Sequence, residues 1–599
     1  MTLKFPTTSF FESKRTLLYD GDSCCANNSW RMLLIFAFAL ALRLFFLYQW
    51  SNTPYYANPH VDAWVHKDWA LAIFSGKFLR ERAFYQSPFY PYLLAGVYKV
   101  FGVKDSMMFL LQAAASAFTC LLIARITARV FDEKAGFFAG LLAAVYKPFI
   151  FQAALLLKET WVILGMSLLC LSALRAGASA NRRDSFLCGL ATGFTALSRG
   201  NALLLVPLVP LFWFWENRDW RATMRRLCPA FALGIILPIL PATLHNYMAS
   251  RDFVPINYTD GFVFYMGNNP RLAGSTDYPP GISSAPLEEE AQTAQIAERE
   301  SGRELKPSEV SAFWFRKGLL EIANHPADWF VLNWRKLRFF WNWFEPPDEY
   351  AADFIARNFG TVLSWPILGY GLACTLGLLG MFAFAGGDRK GMFLCLCAAA
   401  YALSVLATFI SDRYRLPMAV FLLPFAGALL ARLTEREFYA NLRGFAVRAS
   451  LALPLVSLCW LPPLQNRKGI EAQAWSQLVS MYFVDGKYEK SVAALENAFK
   501  ANPARVYSQA ILDGAASCER LRLPRRALLF YNEGIARYPN NPDFHSNKGA
   551  LLFELGDKSN AVAELKRAIA IAPGFAPAHK NLSIIYALSG DKPRTRATR

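Results

Sequence analysis

The sequence has little charge. Asp, Glu, Lys and Arg make up 18% of its 599 residues, against 54% hydrophobic and 15% aromatic, too few to clothe a soluble surface of ordinary polarity. A polytopic membrane protein is the first inference, in keeping with a mean hydropathy of +0.22. The 11 cysteines have no metal-binding or redox spacing: Cys24 and Cys25 are adjacent, Cys395 and Cys397 are one residue apart, and most others fall inside apolar runs. Neither a disulfide framework nor a structural metal is expected from them. No short apolar leader with a small-residue cleavage site precedes Ser51, so the first apolar run is read as a retained helix. Acidic residues are in deficit, 45 against 63 basic, for a net charge of +18. The basic residues punctuate apolar runs as membrane topology requires, which argues against a nucleic-acid partner.

Apolar runs long enough to span begin with Trp30 to Trp50 and continue at 106–128, 135–151, 157–175, 185–198, 200–215, 227–248, 361–386, 391–410, 416–432 and 448–464, about eleven in all. Lys and Arg cluster in alternate short loops, at Arg125/Arg129/Lys134, Arg175/Arg182/Arg183, Arg218/Arg221/Arg225/Arg226, Arg389/Lys390 and Arg432/Arg436/Arg443/Arg448. Such loops stay cytoplasmic, on the side of the N-terminus. The reading is a cytoplasmic segment 1–29, a membrane module 30–465 with outer loops 51–105 and 249–360, and a soluble tail 470–599. An odd number of spans puts that tail outside as well.

The tail repeats itself. Pro503, Pro539 and Pro573 lie 36 and 34 residues apart, each after a helix-period apolar pattern (Leu495/Ala498, Ala527/Tyr531, Ala561/Leu565/Ala568), with Gly486 and Gly556 at turn positions. This period and its small residues resemble tetratricopeptide repeats, best at 542–575 and weaker where Ser491 and Gly534 replace the favoured Ala. A generic array of helical hairpins is the alternative. On either reading the tail carries no catalytic signature and is expected to bind a protein or peptide partner.

In the first outer loop Asp62 begins a short helical pattern, Asp62-Ala63-Trp64-Val65-His66-Lys67-Asp68, and a helix cap is the plain reading of a lone acid there. The loop ends in Tyr85-Gln86-Ser87-Pro88-Phe89-Tyr90-Pro91 and Phe101-Gly102; further strings are Leu157-Lys158-Glu159-Thr160, Ser198-Arg199-Gly200-Asn201, Gly261 to Pro270 and Arg413-Tyr414-Arg415-Leu416-Pro417. In this order, over roughly residues 30–435, they resemble the integral-membrane glycosyltransferases of the C-type fold, the branch of protein mannosyltransferases and lipid A aminoarabinose transferases. The resemblance implies an all-α polytopic bundle that moves a sugar from a polyprenyl-phosphate carrier to a lipid, glycan or protein acceptor at the outer face of a bacterial inner membrane. It also implies a first-loop carboxylate as catalyst, which here is Asp62. The family often has two adjacent acids; here the second is Ala63, leaving His66 or Asp68 to compensate and a divalent metal an open question.

Residue chemistry suits that expectation. A phosphate leaving group needs no protonation, so one carboxylate base can suffice while cations hold the departing charge. Lys158, Arg199, Arg413 and Arg415 all map to the outer ends of spans and are the expected donor-phosphate ligands, with interfacial snorkelling as the alternative for each. Glu159 neutralises Lys158, or orients it or the acceptor. Asn268 and Asn269 form a turn before Pro270, or contact sugar or acceptor. Arg43, inside the first span, is read as structural, and His245/Asn246 as a cap on the seventh. Residues 326–344 are expected to form an amphipathic helix in the headgroup layer, and 288–304 a solvated helix. Two rival functions remain: an oligosaccharide ligase or polymerase, and a non-enzymatic scaffold working through the repeats.

Overall fold

The computed structural model describes residues 29–588 apart from 273, 275–277 and 284; the expected N-terminal segment, save Ser29, lies outside them. Among the described residues there are only helices and their connections. Six helices are long and apolar enough to cross a membrane: Ser29–Ser51, Asp105–Val130, Glu159–Ser179, Trp220–Ser250, Tyr370–Gly387 and Arg389–Leu406. The pair Leu442–Ser450 and Leu453–Trp460, bent by 66°, makes a seventh if it is one span.

The other four apolar runs form shorter helices: Glu133–Ala144, Arg182–Ser198, Leu208–Asn217 and Met418–Leu433. The expected span at 200–215 is divided because Gly200–Leu205 forms a 3-10 turn. Met418–Leu433 is buried along nearly its whole length, so its all-round apolarity reflects packing among helices as much as lipid contact. Arg182–Ser198 lies against Cys228–Ser250 at Gly189 and Gly234, where a Cβ would stand 2.1 and 2.3 Å from carbonyl oxygens of the facing helix. Arg43 is fully buried, bonding Ser116 Oγ (3.0 Å) and the last carbonyls of Glu133–Ala144 at Ala143 and Ala144 (3.3 and 2.6 Å). It therefore caps a neighbouring helix end, the structural role expected of it.

The outer loops are folded. Helix Pro286–Ser301 is not simply solvated, since Glu289, Glu290, Thr293 and Ala297 are buried. Pro326–Trp341 is half embedded, with Phe330, Val331 and Trp334 exposed and Lys336 buried on the carbonyls of Gly267, Leu406 and Thr408. His245 and Asn246 are tertiary anchors, not caps. His245 stacks on Phe84 at 4.1 Å, while Asn246 accepts from the Phe84 amide and donates to the carbonyls of Val254 and Ile256. The two outer loops are thus pinned to one span end.

From Arg467 the chain forms helical hairpins: Arg467–Val484 with Tyr488–Ala501, Ser508–Arg520 with Pro524–Arg537, and Pro542–Glu554 with Lys558–Ile571, followed by Ala576–Leu588. Gly486 and Gly556 take positive φ at the turns of the first and third pairs, where Arg522 holds that conformation in the second. The first hairpin docks on the outer loops through Trp475 against Phe354 (5.0 Å), Glu471 with Arg357 (2.8 Å) and Asp485 with Asn58 (3.2 Å).

Candidate active site

Asp62 is the first residue of helix Asp62–Phe74, and Val61 occupies the cap position with φ 51°. A β-branched residue at positive φ is strained, and no side chain caps this helix end. The Asp62 carboxylate is held from two sides instead: Gln86 Nε2 donates to Oδ1 at 3.2 Å and Arg413 Nη1 to Oδ2 at 3.0 Å. Arg413 also gives Asp348 Oδ2 two N–H groups, at 2.6 and 2.9 Å. Its Nη1 also lies 2.7 Å from Glu349 Oε1, and the Glu349 carboxyl is within hydrogen-bond reach of the Asp62 carboxylate. One guanidinium therefore gathers three carboxyl groups. Burial opposes ionisation at Asp62, but Arg413, with His66 and Lys158, holds its carboxyl well below the usual range. Burial pushes Glu349 well above that range, helped by the charges of Asp62 and Asp348. The pair is thus polarised, Asp62 toward its ionised form and Glu349 toward its protonated one.

The Pro346–Tyr350 loop reaches Arg413 because the Asp412 amide donates to the Pro346 carbonyl at 2.9 Å. Asp348 and Glu349 were not singled out in the sequence. They follow Pro346-Pro347 in a long outer loop, and that local signal does not tell which cation they will meet. They bring two further acidic residues to Arg413. Of the first-loop candidates, Asp68 is exposed on helix Asp62–Phe74, and His66 is buried with Nδ1 3.1 Å from the Leu156 carbonyl. Burial keeps the His66 imidazole neutral, lowered to about 4. It joins the Asp62 helix to the strip leading to Lys158.

Lys158 is the residue before helix Glu159–Ser179, and among the described residues no hydrogen-bond partner for its ammonium is found. Burial and Arg199 pull it below its ordinary pKa, while Glu159 and Asp62 oppose them. Arg199 is buried, with Nη2 2.8 Å from Glu159 Oε1 and its guanidinium stacked 4.1 Å over Tyr414. Among the described residues its Nε and Nη1 are buried without a partner, as are Ser198 Oγ and Ser411 Oγ. Unpaired buried donors are costly unless a ligand completes them. Glu159 thus pairs with Arg199, and the Lys158 ammonium acts on Asp62 through its charge alone.

The remaining expected residues have structural occupations. Arg415 Nη1 donates to the carbonyls of Phe339, Phe340 and Asn342, and Nη2 to that of Phe344, with the guanidinium 4.0 Å over Tyr370. It clamps the end of Pro326–Trp341 instead of facing the site. Asn268 bridges Phe264 and Ala407 carbonyls and accepts from Trp329, while Asn269 bonds Tyr265 and the Arg271 amide, which is the turn reading. A fourth acid stands close by: Glu289 accepts from Tyr85 at 2.6 Å and Tyr278 at 2.7 Å, and burial lifts it to about 7, with Asp62 and Asp348 contributing. Among the described residues no three His, Cys, Asp or Glu side chains are set to hold one metal ion; Asp62, Asp348 and Glu349 converge on Arg413.

Residues 85–242 match the family described as dolichyl-phosphate-mannose-protein mannosyltransferase, and residues 542–575 match the tetratricopeptide repeat. The first stretch carries Gln86, Lys158, Glu159 and Arg199; Asp62, Asp348, Glu349 and Arg413 lie outside it. Among solved structures, the chain is similar to the archaeal oligosaccharyltransferase AglB from Archaeoglobus fulgidus in complex with an inhibitory peptide and a dolichol-phosphate, at 15% identity and a TM-score of 0.41, over 78% of this chain and 60% of that one. It is also similar to ArnT from Cupriavidus metallidurans bound to undecaprenyl phosphate, at 16% identity and a TM-score of 0.39, over 91% and 89%. The chain therefore spans 60% of the length of the archaeal enzyme. No curated protein matches the sequence. The all-α membrane bundle carries a glycosyltransferase-family segment and ends in a tetratricopeptide repeat.

Proposed function

We propose that this protein is a membrane glycosyltransferase that moves a sugar from a polyprenyl-phosphate donor to an acceptor hydroxyl. The reading is carried by one observation: Asp62, bonded by Arg413 and Gln86, lies within the electrostatic reach of Lys158, whose ammonium has no hydrogen-bond partner among the described residues, while Arg199 keeps Nε and Nη1 unpaired. Asp62 takes the acceptor proton as the acceptor oxygen forms its bond to the anomeric carbon. The bond from that carbon to the phosphate oxygen breaks, and its electron pair leaves with the phosphate. Lys158 and the free N–H groups of Arg199 hold the growing charge, aided by the hydroxyls of Ser198 and Ser411. Arg413 keeps the base ionised and oriented, a different part from the phosphate ligand expected from the sequence. The site faces the periplasm, with the N-terminus cytoplasmic, as the Lys and Arg distribution supports. The repeats lie outside with it, since their first hairpin packs on the outer loops.

The test is release of free polyprenyl phosphate from a panel of polyprenyl-phosphate sugars by purified protein in lipid. Wild type is expected to turn over and Asp62→Asn to lose about 10²- to 10⁴-fold, the usual weight of a general base. Equal turnover by the variant would remove Asp62 from the chemistry. Inactivity of both with every donor would remove the donor class. Cysteine labelling from outside, at Asn358 against Arg221, checks the orientation.

A further inference from the structure

Two cysteines meet where the membrane module joins the repeats. Cys374 lies one turn into the span Tyr370–Gly387, and Cys459 is the next-to-last residue of helix Leu453–Trp460. Both are fully buried, and their thiols are in side-chain hydrogen-bond contact. Packing fixes that contact. The residues that follow the two cysteines are bonded to each other, Trp460 Nε1 donating to Thr375 Oγ1 at 3.0 Å. Trp343 of the second outer loop is wedged against both helices. Its amide donates to the Cys459 carbonyl at 2.8 Å, and a Cβ on Gly371, one turn before Cys374, would stand 2.5 Å from its own Cβ.

Among the described residues Cys170, Cys188 and Cys397 are also neighbours, but no hydrogen bond joins their thiols, and each lies in the middle of a helix. The Cys374–Cys459 pair differs in place as well as in contact. Just beyond it Asn342 and Arg338 donate to the carbonyls of Leu461 and Pro462, at 2.7 and 3.0 Å, where the chain leaves for the repeats. It therefore sits at the end of the membrane module that carries the outer loops and Asp62. With the orientation read from Lys and Arg, that end faces the periplasm, a compartment in which disulfides form and persist.

We propose that Cys374 and Cys459 are a site of oxidation and are joined by a disulfide in the working protein. The inference rests on the periplasmic placement of the outer loops and not on the transfer chemistry. The oxidant is the disulfide of a thiol–disulfide oxidase. One cysteine, as thiolate, attacks a sulfur of that disulfide, whose other sulfur leaves as a thiolate. The second cysteine, as thiolate, then attacks the sulfur of the first and releases the oxidant's remaining sulfur. Two thiols lose two protons and two electrons, and the oxidant becomes a dithiol. Because both cysteines are buried, the exchange takes place before Leu453–Trp460 packs on Tyr370–Gly387. The bond closes a loop that contains Arg413, and it restricts the unfolded chain on both sides of that residue.

The full chain is isolated from membranes without reductant and dissolved in denaturant containing N-ethylmaleimide, and its peptides are weighed before and after reduction. The peptides with Cys374 and Cys459 are expected as one species, two hydrogens lighter than their sum, which reduction separates. Cys170, Cys188 and Cys397 are expected as maleimide adducts. Cys374→Ser and Cys459→Ser should each lose the joined species and leave the other cysteine alkylated. Recovery of both cysteines alkylated from wild type overturns the proposal, whether or not the variants fold, and so does a bond from either one to a different cysteine. Cysteine labelling at Asn358 separates the causes: alkylated thiols with Asn358→Cys labelled from outside defeat the disulfide alone, and with no labelling from outside they defeat the orientation as well.

Discussion

Arg413 Nη1 stands 3.0 Å from Asp62 Oδ2 although 351 residues separate them in the chain. The contact closes the membrane module across one face, bringing the loop after the first span to the short turn before Met418–Leu433. The same guanidinium bonds Asp348 through two nitrogens, so its shape matters as much as its charge. Arg413→Lys keeps the charge but cannot repeat the fork. We expect a fall of about 10²-fold in kcat/KM for polyprenyl-phosphate release, with the donor KM less affected than kcat.

Glu349 should tolerate loss of its charge. Burial beside Asp62 and Asp348 favours its protonated form, so Glu349→Gln mimics the neutral form and is expected to retain activity within about threefold, whereas Asp62→Asn is not tolerated. A group with a raised pKa is neutral until pH climbs through its folded value. Wild-type kcat/KM should therefore fall at alkaline pH as Glu349 ionises, and that limb should flatten in Glu349→Gln. A pH profile of the two proteins checks this.

Glu289 makes a stability prediction of definite sign. Its folded pKa is raised from 4.5 to about 7, so between those values the folded state holds a proton that the unfolded state has lost. Stability contributed by this residue therefore falls as pH rises through that window. Glu289→Gln removes the dependence while keeping a neutral partner for Tyr85 and Tyr278. Thermal unfolding should show the variant gaining on wild type from pH 5 to 8; a constant difference across this range would contradict it.

Val61 stores strain next to the base. Val61→Gly relieves a positive φ that costs about 1 kcal/mol or more, so the melting temperature should hold or rise. The freed backbone should aim Asp62 less well, lowering kcat about tenfold. Loss of stability together with unchanged kcat would show that the strained turn is incidental.

Arg199 and Arg415 should separate. Arg199→Lys keeps its ion pair with Glu159 but removes two donors from the site, and kcat/KM is expected to fall about tenfold or more. Arg415→Ala strips four carbonyls of their donor and should cost about 3 kcal/mol of stability, seen in thermal melts. The folded fraction of that variant should bind donor normally.

Helices and repeats were legible because they are written locally, in apolar runs and a period of 34 residues. The count of spans was less so: the run at 200–215 is interrupted by Gly200–Leu205, and Met418–Leu433 is apolar on every side through burial among other helices. Asp62, Lys158 and Arg199 could be found from position and charge at outer span ends. Arg415 carries the same local signal as Arg413, two residues apart, and only packing turns one toward carboxylates and the other toward helix carbonyls. Asp348, Glu349 and Glu289 were missed for the converse reason. Their roles depend on Arg413, Tyr85 and Tyr278, partners that no spacing rule connects to them.

The carbonyl of Glu349, bonded by His60 from the membrane module and by Gln477 from the first repeat, makes truncation an unsafe way to assign labour in this molecule. A chain ending before Arg467 would lose not only a docking surface but one of the two side chains bonded to that carbonyl, on the loop that brings Asp348 and Glu349 to Arg413. A dead truncated enzyme would therefore say nothing about whether the repeats bind anything.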